Sequence, residues 1–117
     1  MPDQRAHRRH AERLSLHVAS EPQGRFEIET LNVSLSGAYC CSRYFLPLMT
    51  RMKVTLVLPS GRSSEKLDAD AVVVRVNPST EPALAGFYDL ALYFVRMGDA
   101  EKERLRLFLR ERPAGTS

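Results

Sequence analysis

Short stretches in which apolar and polar residues alternate restrict the fold of this chain more than any other feature. Leu14, Leu16 and Val18 fall on one side of an extended chain, and the residues between them fall on the other. A period of two is typical of a β-strand with one buried face. Further short stretches that are apolar or alternating lie at 25–31, 38–41, 52–58, 67–76 and 87–95.

Turn-forming residues separate these stretches. Pro22 and Gly24 lie between the first two, Pro59 and Gly61 follow the fourth, and Pro78 ends the fifth. Proline presets one backbone dihedral and glycine accepts a positive one, so both residue types favour turns. Five or six short strands joined in this way predict a mainly β fold, in which an antiparallel sheet forms a small barrel.

A single helix is expected near the end of the chain. Asp99 is a candidate N-cap, and Leu105 and Leu109 fall on one face of a helix that would run over 99–111. Pro113 cannot continue such a helix. We therefore expect one terminal helix that covers the barrel at one side or end.

The length and the charge distribution predict how the chain is organised. A chain of 117 residues fits one domain. Residues 1–13 are basic and carry no periodic apolar face, so we expect a flexible basic arm there, followed by the barrel and helix over 14–112 and a tail at 113–117. The formal net charge of +3 is a mild bias that suits an anionic partner.

Several classes of protein are disfavoured by the sequence. It contains neither the roughly 18 consecutive apolar residues of a membrane span nor the apolar stretch of a secretion signal, so we expect a cytoplasmic protein. Cys40 and Cys41 are adjacent and suit neither a disulfide nor a metal site, which predicts reduced thiols, one of them in the core. His7, His10 and His17 form no metal-binding cluster, and no catalytic motif is present. We therefore expect a protein that is not an enzyme and needs no cofactor or metal.

Two motifs carry the functional signal. Arg9 and Arg13 have the form Arg-x-x-x-Arg, and Asn32, Ser34 and Gly37 have the form Asn-x-Ser-x-x-Gly. The arginine spacing occurs three times in this arginine-rich chain and proves nothing alone, whereas the second motif should arise by chance only roughly 0.03 times at this composition. Together, in this order and spacing, they resemble the PilZ domain family. In that family the arginine pair precedes the first barrel strand, and the second motif lies where a strand ends on the barrel surface.

The resemblance implies a six-stranded antiparallel barrel with one C-terminal helix, in a receptor for the bacterial second messenger cyclic di-GMP. It implies that Arg9 and Arg13, with Arg8 next to them, contact this ligand. A guanidinium group pairs bidentately with phosphate oxygens or with guanine O6 and N7, and it also stacks on a purine. These three arginines are therefore the predicted clamp on the nucleotide.

The second motif would complete the site. The resemblance implies that Asn32 accepts hydrogen bonds from a guanine edge and that Ser34 donates or accepts within the same pocket. Gly37 would let the backbone approach the ligand or adopt a positive dihedral. The chain departs from the family in two places: asparagine offers one side-chain acceptor where aspartate offers two, and Ala91 stands where the family commonly has glycine. The extra methyl of Ala91 would narrow the pocket.

The function implied is that of a ligand-responsive adaptor, whose arm folds over the nucleotide and signals to an effector protein in motility, biofilm or polysaccharide control. We expect a monomer or a weak homodimer. Two alternatives stay open: an interaction module that has lost nucleotide binding, and, less favoured, a small barrel that binds single-stranded nucleic acid through the arm. In the second case Tyr39, Tyr44 and Phe45 would have to stack on bases, whereas core or rim packing is their commoner role.

A structural role is the alternative for each predicted site residue. Arg9 and Arg13 would then belong to a solvated basic tail. Asn32 and Ser34 would hydrogen-bond only to nearby backbone in a local turn.

Overall fold

The computed structural model describes residues 9–20, 24–80 and 85–111 of the chain, and within these ranges six strands are followed by one helix. The elements are β1 (Ser15–Ser20), β2 (Gly24–Val33), β3 (Gly37–Ser42), β4 (Arg51–Ser60), β5 (Ser63–Asn77), β6 (Tyr88–Met97) and α1 (Asp99–Arg110). Every stretch that the alternation assigned to a strand forms one. The predicted terminal helix is also confirmed.

The six strands form a closed antiparallel barrel in the order β1-β2-β3-β6-β5-β4. Alternate residues point inwards, as in β1, where Leu16 and Val18 are buried and Ser15 and His17 are exposed. Cys40 lies in the same core, which confirms that one of the two free thiols is interior. The predicted six-stranded barrel with one C-terminal helix is therefore the observed fold.

Helix α1 packs on the barrel through Leu105 and Leu109, which are both buried. On its exposed side Arg104 Nη1 lies 2.6 Å from Glu65 Oε2 of β5. The expectation that Asp99 caps the helix is wrong, because the N-cap residue is Gly98 and Asp99 is the first helical residue. Asp99 instead places its negative charge in the first turn, where it complements the helix dipole.

Residues 9–14 lie along β2. The backbone amide and carbonyl groups of His10 and Val33 bond to each other, both at 2.8 Å. The buried hydroxyl of Thr30 donates to the carbonyl of Glu12 at 2.6 Å and accepts from the amide of Leu14 at 2.8 Å. This short segment is thus joined to the barrel by backbone and side-chain hydrogen bonds.

Three register shifts interrupt the pairing of the described strands, and two of them bear on the outer surface of the barrel. The register between β2 and β3 shifts between Thr30 and Asn32, and the register between β5 and β6 shifts between Val73 and Arg75. A bulge places an extra residue on one strand and redirects the side chains that follow it. Asn32 and Arg75 are the residues that follow these two bulges.

Some predictions fall outside the described ranges. These are the arm at 1–8, including Arg8 and His7, part of the turn at 21–24 and the tail at 113–117. Within the described ranges no helix is long and apolar enough to span a membrane. The same ranges contain no group of three or more metal-ligating side chains.

Candidate ligand-binding site

Four neighbouring strands place one residue each in a row across the outside of the barrel. Asn32 of β2 pairs with Tyr39 of β3, Tyr39 pairs with Ala91 of β6, and Ala91 pairs with Arg75 of β5. None of the four belongs to the buried core cluster. We call these four residues the outer row, and it contains a motif residue, an aromatic ring, the small residue of β6 and an arginine.

Arg9 joins the outer row from the N-terminal segment. Its guanidinium carbon lies 4.1 Å from the centroid of the Tyr39 ring, which is the geometry of a cation–π contact. The hydroxyl of the same ring accepts a hydrogen bond from Arg75 Nη1 at 3.3 Å. Tyr39 is therefore held between two arginines, one on its face and one at its edge.

Asn32 presents an unused acceptor at the other end of this row. Its side-chain oxygen Oδ1 is buried and has no hydrogen-bond partner in the described part of the chain. A buried polar atom without a partner costs about 1–3 kcal/mol, and such atoms are rare in folded proteins. The local-turn interpretation therefore does not apply to this oxygen, which is an unsatisfied acceptor that a ligand donor could pair with once the groups covering it move.

Ser34 does adopt the local turn that was its alternative role. It is buried, and its hydroxyl oxygen accepts from the amide of Ser36 at 3.1 Å. Its own amide donates to the carbonyl of Gly37 at 2.8 Å. Ser34 thus shapes the loop between β2 and β3 beside Asn32, and its place in ligand binding remains a prediction.

Gly37 is needed for the closure of the barrel. Its φ lies outside the left-handed region, so the expected positive dihedral is wrong. A Cβ atom at this position would lie 2.0 Å from the carbonyl oxygen of Leu92 and 3.2 Å from the Cα of Tyr93, both on β6. The close approach that requires glycine here is therefore that of β6 to β3, and a ligand contact by Gly37 remains a prediction.

Arg13 lies apart from the outer row. Its Nη1 atom is 3.1 Å from Glu29 Oε1 on β2, and both side chains are largely exposed. Glu29 pairs with Cys41, two positions along β3 from Tyr39. The structure thus brings Arg9 together with Asn32 through Tyr39, and it holds Arg13 in an exposed ion pair nearby.

Tyr39 and Arg75 are functional candidates that the motifs do not include. The sequence indicates Tyr39 only as a base-stacking residue of the less favoured nucleic-acid alternative, and it does not single out Arg75. The two-residue period offers one signal, because Tyr39 follows Gly37 by two positions on β3 and so faces the same side. Arg75 is on a strand that does not pair with β3, so no local pattern links it to Tyr39.

A separate hollow of about 730 Å³ lies on other strands and contains none of the predicted site residues. Much of its charge is already paired: His17 Nε2 lies 3.6 Å from Glu27 Oε2, and Lys53 Nζ lies 3.6 Å from Asp70 Oδ1. We assign no ligand to this hollow, because no observation on its lining points to one.

The closed barrel with a basic N-terminal segment laid over its outer face defines a small β-barrel module whose candidate site is external and cationic. A family model described as the PilZ domain matches residues 3–111. The chain belongs to the PilZ domain family. No individually curated protein sequence matches it.

Solved structures share this fold at low sequence identity. The Bacillus subtilis inhibitor of motility, MotI/DgrA, is 15% identical with a TM-score of 0.72, covering 95% of this chain and 54% of its own. The structure of the K. pneumonia MrkH complex with c-di-GMP is 15% identical to this chain with a TM-score of 0.66. The match covers 95% of this chain and 52% of MrkH. The PilZ domain of Escherichia coli YcgR with c-di-GMP is 10% identical to this chain with a TM-score of 0.65. The match covers 89% of this chain and 87% of the YcgR domain. The chain spans about half the length of the first two.

Proposed function

We propose that this protein is a cytoplasmic receptor for cyclic di-GMP, which binds the nucleotide on the outer row and relays its level to an effector protein. The observation that carries the proposal is the buried Oδ1 atom of Asn32, which has no partner in the described part of the chain and lies beside the ring on which Arg9 stacks. Membership of the PilZ family and the ligand named for MrkH and YcgR support the choice of nucleotide.

The chemistry of the ligand matches these side chains. Guanine presents N1 and N2 hydrogens, and the oxygen of Asn32 can accept from them. The two phosphates and the O6 and N7 atoms of guanine are acceptors for the guanidinium groups of Arg9 and Arg13. Arg8, Ser34 and Gly37 remain predicted neighbours of the same ligand.

The energies favour release of the arginines from their present partners. The exposed Arg13–Glu29 ion pair contributes about 0–1 kcal/mol, and the cation–π contact between the half-buried Arg9 and Tyr39 contributes about 0.5–2 kcal/mol. A charge-assisted hydrogen bond to a phosphate contributes about 1.5–3 kcal/mol. The free energy of the hydrogen bonds to phosphate therefore outweighs that of the two present contacts. Ligand binding repositions the segment that carries the two arginines, and this movement supplies the signal to a partner. Control of motility is the output suggested by the similarity to MotI/DgrA, an inhibitor of motility.

Calorimetric titration tests this proposal. Cyclic di-GMP should bind with a dissociation constant at or below about 100 micromolar, on the order of 5 kcal/mol, and GTP and cyclic GMP should bind far more weakly. Absence of heat and of competition at that concentration would refute the receptor function. It would favour the interaction module that does not bind nucleotide, for which the close packing of Arg9 and Arg75 on Tyr39 is the supporting observation.

A double variant identifies the arginines responsible. Arg9→Gln with Arg13→Gln should lower the affinity at least about a hundredfold, because two charge-assisted hydrogen bonds are lost. Arg106→Gln with Arg110→Gln is the matched control: it removes the same formal charge at the same spacing, and Arg106, like Arg13, is an exposed arginine paired with a glutamate. The control should keep its affinity apart from a small effect that salt screens. Equal losses in both variants would mean that net charge alone attracts the nucleotide.

A further inference from the structure

Tyr39 belongs to neither motif, yet Arg9 of the N-terminal segment packs on the face of its ring. The guanidinium group of Arg9 is planar and lies 4.1 Å from the ring centroid. A purine base is also planar and stacks on an aromatic ring at a similar distance. The contact therefore marks a surface on which a flat, electron-poor group is already accommodated.

Three neighbours hold this ring in position. Arg75 Nη1 donates to the Tyr39 hydroxyl at 3.3 Å, which fixes the edge of the ring. The β5 bulge that ends at Arg75 brings this arginine opposite Ala91, whose small side chain separates it from Tyr39. On the other side Asn32 is the residue of β2 that pairs with Tyr39, so the two side chains start from the same outer face of the sheet.

We infer that Tyr39 is a stacking subsite for one guanine base of cyclic di-GMP, and that Arg75 is the residue that positions its ring. The base stacks on the face that Arg9 now covers, and its N1 and N2 edge reaches Asn32. This inference rests on the proposed function and adds a recognition element that the two motifs lack.

Stacking and edge recognition divide the selectivity between two residues. Every base has a π-face, so a ring such as Tyr39 tolerates guanine and adenine alike. Adenine carries no hydrogen on N1, so the oxygen of Asn32 can favour guanine. Loss of the ring should therefore weaken binding of both cyclic di-GMP and cyclic di-AMP, whereas Asn32→Ala should mainly reduce the preference for cyclic di-GMP.

The experiment compares Tyr39→Leu, Tyr39→Phe and Tyr44→Leu in the full chain by calorimetry with cyclic di-GMP. Tyr44 is a matched control, because it is another partly exposed tyrosine with one ring contact, to Phe26 at 4.5 Å, outside the outer row. Tyr39→Leu should weaken binding about 5- to 150-fold, which is the range that base stacking supplies. Tyr39→Phe keeps the ring and should stay within about threefold of the unaltered protein. Tyr44→Leu should leave the affinity unchanged.

A spectroscopic readout separates stacking from a structural effect. In NMR spectra of the unaltered protein, the ring protons of Tyr39, assigned by their loss in Tyr39→Phe, should move upfield when cyclic di-GMP is added. In Arg75→Gln the upfield shift should be smaller while the melting temperature is unchanged, since the Arg75 contact with the ring is exposed.

The outcomes distinguish the two claims. If the unaltered protein does not bind cyclic di-GMP, the proposed function is wrong and the subsite is wrong with it. If it binds but Tyr39→Leu binds equally well or more tightly, or if the Tyr39 signals do not shift, the receptor function stands and the subsite is overturned. Tighter binding by Tyr39→Leu would identify the ring as an obstruction.

Discussion

Replacement of Gly37 by alanine tests whether the motif glycine serves the barrel or the ligand. The new Cβ atom would lie 2.0 Å from the carbonyl oxygen of Leu92, whereas real Cβ contacts essentially never fall below 3.0 Å. The obstacle is the backbone of β6, which no rotation of a side chain can remove. Strands β3 and β6 would therefore have to separate locally by about 1 Å.

The cost of this separation can be estimated from its parts. Overpacking in a well-packed region costs about 1–3 kcal/mol. The separation also strains the nearby hydrogen bond from the Phe94 amide to the Ser36 carbonyl, which measures 2.8 Å. Such a bond contributes about 0.5–1.5 kcal/mol, so we expect Gly37→Ala to lower the free energy of unfolding by about 2–4 kcal/mol. With an unfolding entropy of about 0.25 kcal/mol/K for this length, the melting temperature should fall by about 8–16 °C.

Thermal denaturation followed by circular dichroism measures this effect. Gly98→Ala is the control, because a Cβ atom there would contact only the carboxylate end of Glu101, which is flexible. The control should cost less than about 1 kcal/mol, or about 4 °C. If Gly37→Ala melts within about 2 °C of the unaltered protein and only loses nucleotide binding, the glycine serves the ligand and the closure argument is refuted.

Three further changes have distinct expected results. Asn32→Ala should weaken cyclic di-GMP binding, and so reduce the preference for it over cyclic di-AMP, without lowering the melting temperature, because the Asn32 oxygen has no partner to lose. Ser34→Ala should lower the melting temperature by about 2–6 °C through its lost turn bond, and an equal melting loss in both variants would contradict this. Thr30→Val should lower the melting temperature by about 4–12 °C, since the hydroxyl makes two hydrogen bonds to the N-terminal segment. An unchanged melting temperature would show that those bonds are dispensable. Burial, and to a lesser extent the charge of Cys41, raises the pKa of the Cys40 thiol from 9.0 to about 12. At pH 8 we therefore expect an alkylating reagent to modify one cysteine, Cys41, in the native state and both cysteines in denaturant. Because the fold favours the neutral thiol, the contribution of Cys40 to stability is complete below pH 9 and is lost as the pH rises towards 12. Rapid alkylation of both cysteines in the native protein would refute the burial of Cys40.

Local sequence patterns predicted most of the fold. Alternation over short stretches identified each strand, because one face of every strand lies in the core. The patterns missed the start of β5, since Ser63 and Ser64 carry no buried side chain and are extended only through their pairing with β4. They also missed the bulges before Asn32 and Arg75, because a bulge depends on the partner strand as much as on its own residues.

The candidate site was predictable only in part. The motifs identified Arg9 and Asn32; the structure places Arg9 on the ring of Tyr39 and makes Asn32 the strand partner of the same residue. The contact between Tyr39 and Arg75 joins β3 to β5 across β6. It depends on the order of the strands in the barrel, which no local sequence pattern specifies. The role of Gly37 was not predictable for the same reason, since the atom that excludes a side chain belongs to Leu92, on a strand far along the chain.

The closure of the barrel restricts how another protein can recognise this one. In the described part of the chain each of the six strands pairs on both sides over part of its length, so no strand is free along a whole edge. Recognition by β-strand addition, in which a peptide extends a sheet through backbone hydrogen bonds, is therefore restricted to strand ends that extend beyond their partners, such as residues 63–68 of β5. Over the rest of the barrel a partner would contact side chains on the convex exterior, where a substitution changes the contact surface without breaking the hydrogen bonds between strands.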